Sequence, residues 1–132
     1  MPPKIIYTAL FVDNKDKLLE KFIPKHRNLF AHHMTIAFRP GSLNGIEVGK
    51  KVVLKITGRA FDEKGDVLIV ERYKTDNKYP HITLSCGEGI SPTYSKELLE
   101  KAYENGTIEI LDSPVEVSTT EGFFDGFEDK IL

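Results

Sequence analysis

Apolar and polar residues along this chain fall into short blocks whose period switches between two and about 3.6, the pattern of an α+β protein. Residues 4–12, Lys-Ile-Ile-Tyr-Thr-Ala-Leu-Phe-Val, form an apolar run rich in β-branched and aromatic side chains, which predicts a buried strand. Asp13 or Asn14 is placed to cap a short helix whose Leu18, Leu19, Phe22 and Ile23 share one face, and Pro24 stops it. A strand from His32 to Arg39 is closed by Pro40 and Gly41. Val52–Phe61 and Val67–Tyr73 flank Asp62-Glu63-Lys64-Gly65-Asp66 and read as a β-hairpin, with Gly65 expected at positive φ.

Pro80 opens a further strand that runs through Ser85, and Gly87 and Gly89 break it. Ser95 is expected to cap a second helix over Lys96–Glu104, with Leu98, Leu99, Ala102 and Tyr103 on its apolar face and Gly106 at its end. Residues 107–111 and 115–124 predict one or two last strands around Pro114, followed by a Gly- and Asp-bearing tail. The helices share the string Leu-Leu-Glu-Lys, which suggests a pseudo-symmetric pair of lobes.

Two of these strands repeat one pattern: His33-Met34-Thr35-Ile36 and His81-Ile82-Thr83-Leu84. Alternation puts each histidine on the same strand face as its threonine, with the apolar residues behind. Two imidazoles and two hydroxyls on neighbouring strands suit acid–base chemistry on a phosphate group, one histidine serving as base and the other as acid.

Composition narrows the competing readings. At 132 residues, with 40% hydrophobic, 29% charged and 10% aromatic residues, the chain is expected to fold as one domain, residues 1–132. Cys86 is the single cysteine, so no internal disulfide forms and a reducing, cytoplasmic setting is expected. No run is long enough to span a bilayer, and the amino terminus lacks the features of a signal peptide, so no membrane partner is expected. Net charge is −2, against a protein that coats nucleic acid, yet residues 1–96 carry +6 and residues 97–132 carry −8. The basic part holds both histidine motifs, a distribution suited to attracting a small anionic substrate.

A metal site is the natural alternative for paired histidines, but the position two residues after each is a hydroxyl, where a chelating pair on one strand face would place a second ligand. His32 is expected to face away from His33, and His26 falls in a loop. Cys86 is odd-numbered from His81 and expected to face away, and no Gly-x-Ser-x-Gly elbow is present, so nucleophilic catalysis has little support. Neither metal nor cofactor is expected.

On the residues His33, Thr35, His81 and Thr83, the chain resembles the two-histidine phosphoesterase superfamily, which includes LigT-like RNA phosphodiesterases and the cyclic phosphodiesterase domains of fungal-type tRNA ligases. Ile5-Ile6-Tyr7-Thr8-Ala9-Leu10 is similar to that family's opening strand. The resemblance implies a bilobal α+β fold with antiparallel sheets, two helices and a central cleft. It implies a metal-independent phosphodiesterase that hydrolyses 2′,3′-cyclic phosphate ends of RNA or nucleotides, with His33 and His81 catalytic and Thr35 and Thr83 binding phosphate oxygens. The alternatives are a 2′-5′ oligonucleotide or cyclic signalling-nucleotide phosphodiesterase, or a non-catalytic nucleotide- or RNA-binding module. Tyr7 is a candidate for stacking on a base, and Arg72, Lys74 and Lys78 are candidates for meeting backbone phosphates. The loop Ser91–Ser95 is a candidate border of the cleft, and a monomer is the default expectation.

Overall fold

The computed structural model describes residues 4–71 and 73–132. Strand β1 (Tyr7–Val12) leads into helix α1 (Lys15–Lys21), and Asn14 caps that helix by accepting from the Lys17 amide at 3.1 Å. Strands β2 (Asn28–Leu29), β3 (His33–Phe38), β4 (Lys51–Phe61), β5 (Gly65–Val70) and β6 (His81–Cys86) follow. Helix α2 (Tyr94–Asn105), the long strand β7 (Glu109–Phe124) and the short β8 (Asp129–Lys130) complete the chain. The described residues form an α+β fold with two helices and one antiparallel sheet of eight strands.

The sheet runs β2-β6-β5-β4-β7-β1-β3, with β8 added to β7. Its two outermost strands, β2 and β3, are joined by only residues 30–32, which limits the gap between them to on the order of 14 Å. The sheet must therefore curl until its ends meet, and β3 comes to lie beside β6. At this seam Phe30 and Ala31 donate to the carbonyls of Leu84 and Thr83, while the Asp76 amide and the Thr75 hydroxyl donate to the carbonyls of Ile36 and Thr35. Chain segments thus satisfy both strand edges where β3 and β6 do not pair directly.

Alternation sorts the side chains into two cores. Leu10, Met34, Ile36, Leu54, Ile56, Leu68, Val70, Ile82, Leu84 and Val117 fill the inside of the curl and are joined by Leu18 and Phe22 at α1. Val67, Ile69 and Ala60 point the other way and pack under Leu98, Leu99 and Ala102 of α2. Strand β5 is buried on both faces for this reason, as is every residue from Gly65 to Val70. The motif residues Met34, Ile36, Ile82 and Leu84 belong to the inner core, so His33, Thr35, His81 and Thr83 emerge on the outer face, on either side of the seam.

Several local expectations need correction. A single sheet replaces the expected separate sheets of two lobes. Gly65 does not adopt positive φ. Asp62 makes the hairpin turn by accepting from the Lys64 and Gly65 amides at 2.8 Å each, and Gly65 is small because a Cβ there would lie 3.0 Å from the Tyr94 ring and 3.2 Å from Leu98. Ser95 is not the cap of α2, which starts after Thr93; it is buried in the first turn, and its hydroxyl meets that of Thr83 at 2.8 Å. Strand β7 runs straight through Pro114. Its register on β4 jumps from Val115 opposite Ile56 to Ile110 opposite Gly58, leaving residues 111–114 outside the ladder, where a proline nitrogen forfeits no bond.

Candidate active site

The four motif side chains line one cavity of about 660 Å³ at the β3–β6 seam. Pro92, Thr93 and Lys96 from the start of α2, Lys15 from the start of α1, Asp76 and Asn77, and the strand end at Phe38 complete its wall. Phe38 is 64% exposed, an apolar ring presented at the rim.

The histidines are held by different means. His81 Nδ1 donates to the carbonyl of Tyr79 at 2.7 Å, which leaves Nε2 as its free nitrogen. His33 Nδ1 lies 2.7 Å from His32 Nδ1, and its ring stacks on Tyr7 with centroids 4.7 Å apart. His32 in turn donates from Nε2 to Asp129 Oδ2 at 2.8 Å. His32 therefore does not face away from the site, contrary to strand alternation. It precedes β3, and the chain turns at Ala31 with φ +53°, so the period-two rule does not yet apply.

Burial shapes the electrostatics. His33 is lowered from the ordinary imidazole value to about 3, first by desolvation and then by the nearby His32 and His81. His81 is also lowered by burial and by Lys96, while the Tyr79 carbonyl acts in the opposite direction. Both imidazoles are thus poorer proton acceptors than a free histidine. Each is held neutral at neutral pH, and an anion would restore its affinity for a proton.

The expected substrate-binding residues fare unevenly. The Tyr7 ring stacks on His33 and on Phe124, and burial together with the charge of Asp129 pushes its hydroxyl up to about 12. Tyr7 thus buttresses a histidine and does not line the cavity. Lys74 is committed to the buried carboxylate of Glu121, which also accepts from Tyr73 at 2.8 Å and from the Glu47 amide at 2.6 Å. Lys78 pairs with Glu100 of α2 at 3.0 Å. Neither lysine belongs to the cavity wall, and Arg72 lies outside the described residues.

The lysines at the cavity are Lys15 and Lys96, which sequence reasoning missed. Lys96 directly follows the Ser91–Ser95 segment, whose Pro92 and Thr93 do border the cleft. His26 serves the fold: its Nε2 donates to the Asp62 carbonyl at 2.7 Å and ties the loop between α1 and β2 to the β4–β5 hairpin. Cys86 is buried away from the cavity. Among the described residues no three or more His, Cys, Asp or Glu side chains cluster so as to hold a metal ion, and no helix is long and apolar enough to cross a membrane.

No protein-family model and no curated protein matches this chain. The chemistry must be read from the cavity itself.

Proposed function

We propose that the protein is a metal-independent phosphodiesterase that hydrolyses 2′,3′-cyclic phosphates at RNA ends or on nucleotides. The observation that carries this reading is the convergence of His33, Thr35, His81 and Thr83 on one cavity, each histidine with Nδ1 engaged. One neutral imidazole accepts the proton of an attacking water, and the other, protonated once the anion is bound, donates to the departing ribose oxygen. Thr35 and Thr83 donate hydroxyl hydrogen bonds to nonbridging phosphate oxygens, and Ser95 orients the second of these hydroxyls. Lys15 and Lys96 supply positive charge at the cavity wall.

A nucleoside fits the remaining wall. The exposed Phe38 ring offers a stacking surface, and Asp76 and Asn77 offer polar groups to a base edge. The same constellation would accept a 2′-5′ linkage, so substrate preference is decided by comparison. Purified protein incubated in excess chelator with 2′,3′-cyclic mononucleotides and with 2′-5′ oligoadenylates is expected to open the cyclic phosphate faster. His33→Ala and His81→Ala should each lower the rate by roughly 10²–10⁴-fold. Ligand binding without turnover, unaltered by either substitution, would instead identify a binding module.

A further inference from the structure

We propose that Asp129 and His32 form a positioning relay that keeps the His33 proton on Nδ1 and its lone pair on Nε2, making His33 the general base and His81 the general acid. This assignment of roles rests on the phosphodiesterase reading; the relay itself rests on geometry alone. A carboxylate only accepts, so the Nε2 nitrogen that meets Asp129 at 2.8 Å carries a hydrogen. A singly protonated His32 then has a bare Nδ1. The 2.7 Å separation between that atom and His33 Nδ1 admits one proton, which belongs to His33. His33 Nε2 is left as the lone pair available to the cavity.

Asp129 is built into place rather than borrowed from a loose tail. The Asp125 side chain accepts from the Phe127 and Glu128 amides at 2.8 Å each and turns the chain back, so that Asp129 pairs with Phe124 of β7. Phe124, Tyr7 and Phe11 occupy one face of the sheet with His33, since Tyr7 is opposite Phe124 and Phe11 is opposite His33. Gly122 keeps that face open: a Cβ there would collide with the Lys130 carbonyl. The ionisable groups around His33 are thus His32, His81, Tyr7 and, through His32, Asp129.

Proton accounting favours this direction of transfer. Water gives a proton to His33 Nε2 as its oxygen bonds to phosphorus; the bond from phosphorus to the ribose oxygen breaks, and His81 Nε2 protonates that oxygen. The imidazolium formed at His33 shares its Nδ1 proton with His32, and the positive charge is balanced by Asp129 two bonds away in the hydrogen-bonded chain. Among the described residues no carboxylate hydrogen-bonds His81. Its Nδ1 rests on a neutral carbonyl, suited to a group that begins each cycle protonated under the charge of a bound phosphate. Solvent exchange returns both histidines to their starting states.

Ring-nitrogen NMR of the ¹⁵N-labelled protein at pH 8, above the ordinary imidazole range, tests the relay without substrate. Protons are expected on Nδ1 of His33, Nε2 of His32 and Nδ1 of His81. Asp129→Asn and His32→Phe should let His33 populate both tautomers and lower kcat by about 10–100-fold with KM little changed, the scale for groups that orient a functional imidazole. A wild-type His33 protonated at Nε2 overturns the relay, as does an Asp129→Asn variant with unaltered tautomer and kcat. A wild type that has the stated tautomers but turns over no phosphodiester supports the relay and overturns the functional reading and the acid–base roles.

Discussion

Acidification should destabilise this protein well before its carboxylates protonate, because His33 is folded into a site that refuses a proton. Its imidazole is lowered to about 3 by burial and by His32 and His81, whereas in the unfolded chain it titrates near about 6.5. Between these values the unfolded state binds more protons, so stability is fully present above pH 6.5 and falls as pH drops toward 3. At pH 5 the proton taken up by unfolded His33 is worth about 2 kcal/mol relative to pH 8. For 132 residues this is a fall of about 7 °C in Tm, to which the lowered His81 adds in the same direction. Urea and thermal unfolding of wild type and His33→Asn at both pH values isolates the effect, because the substitution removes one ionising ring. The variant should lose about 2 kcal/mol less on acidification. Equal losses in both proteins, or a His33 ring that titrates near 6.5 in the folded protein, would refute the reasoning.

Other consequences are equally specific. Lys96→Met removes a cation that depresses His81, so the His81 ring should titrate at higher pH by NMR, while inorganic phosphate binds several-fold more weakly. Asp66 is fully buried and accepts from Arg59 twice at 2.9 Å, from Ser85 at 2.9 Å and from the Lys25 amide at 3.0 Å. Asp66→Ala strands the Arg59 charge and should cost about 3–5 kcal/mol in urea unfolding. Gly122→Ala should push β8 off the sheet, shift the His32 ring resonances and reproduce the kcat loss of Asp129→Asn. Phe38→Ala should raise KM for cyclic mononucleotides with kcat nearly unchanged, as measured by initial rates.

Local signals identified most elements because the physics behind them is local. The Asn14 cap, the buried Leu18 of α1 and Leu98, Leu99 and Ala102 of α2, the left-handed Gly106 at φ +68° and the alternation in β3 and β6 act within a few residues, whereas Ile23 and Tyr103, expected on the helix faces, are exposed. What escaped depended on distant parts of the chain. Curling of one sheet follows from β2 and β3 occupying its opposite edges, a pairing no periodicity encodes. Ser95 has the chemistry of a cap, yet packing of α2 on β4 and β5 leaves it buried as a partner for Thr83. Lys74 looked free because Glu121, which holds it, is 47 positions away. His32 was misplaced because alternation was extended one residue beyond the strand, across the turn at Ala31.

The most direct test of a two-histidine phosphodiesterase is ³¹P NMR of a 2′,3′-cyclic nucleotide mixed with the protein in chelator. Wild type is expected to convert the cyclic phosphate signal into a single phosphomonoester, with His33→Asn and His81→Asn each nearly inert. A cyclic phosphate that stays intact with wild type, or that opens equally fast with both variants, would contradict the two-histidine reading.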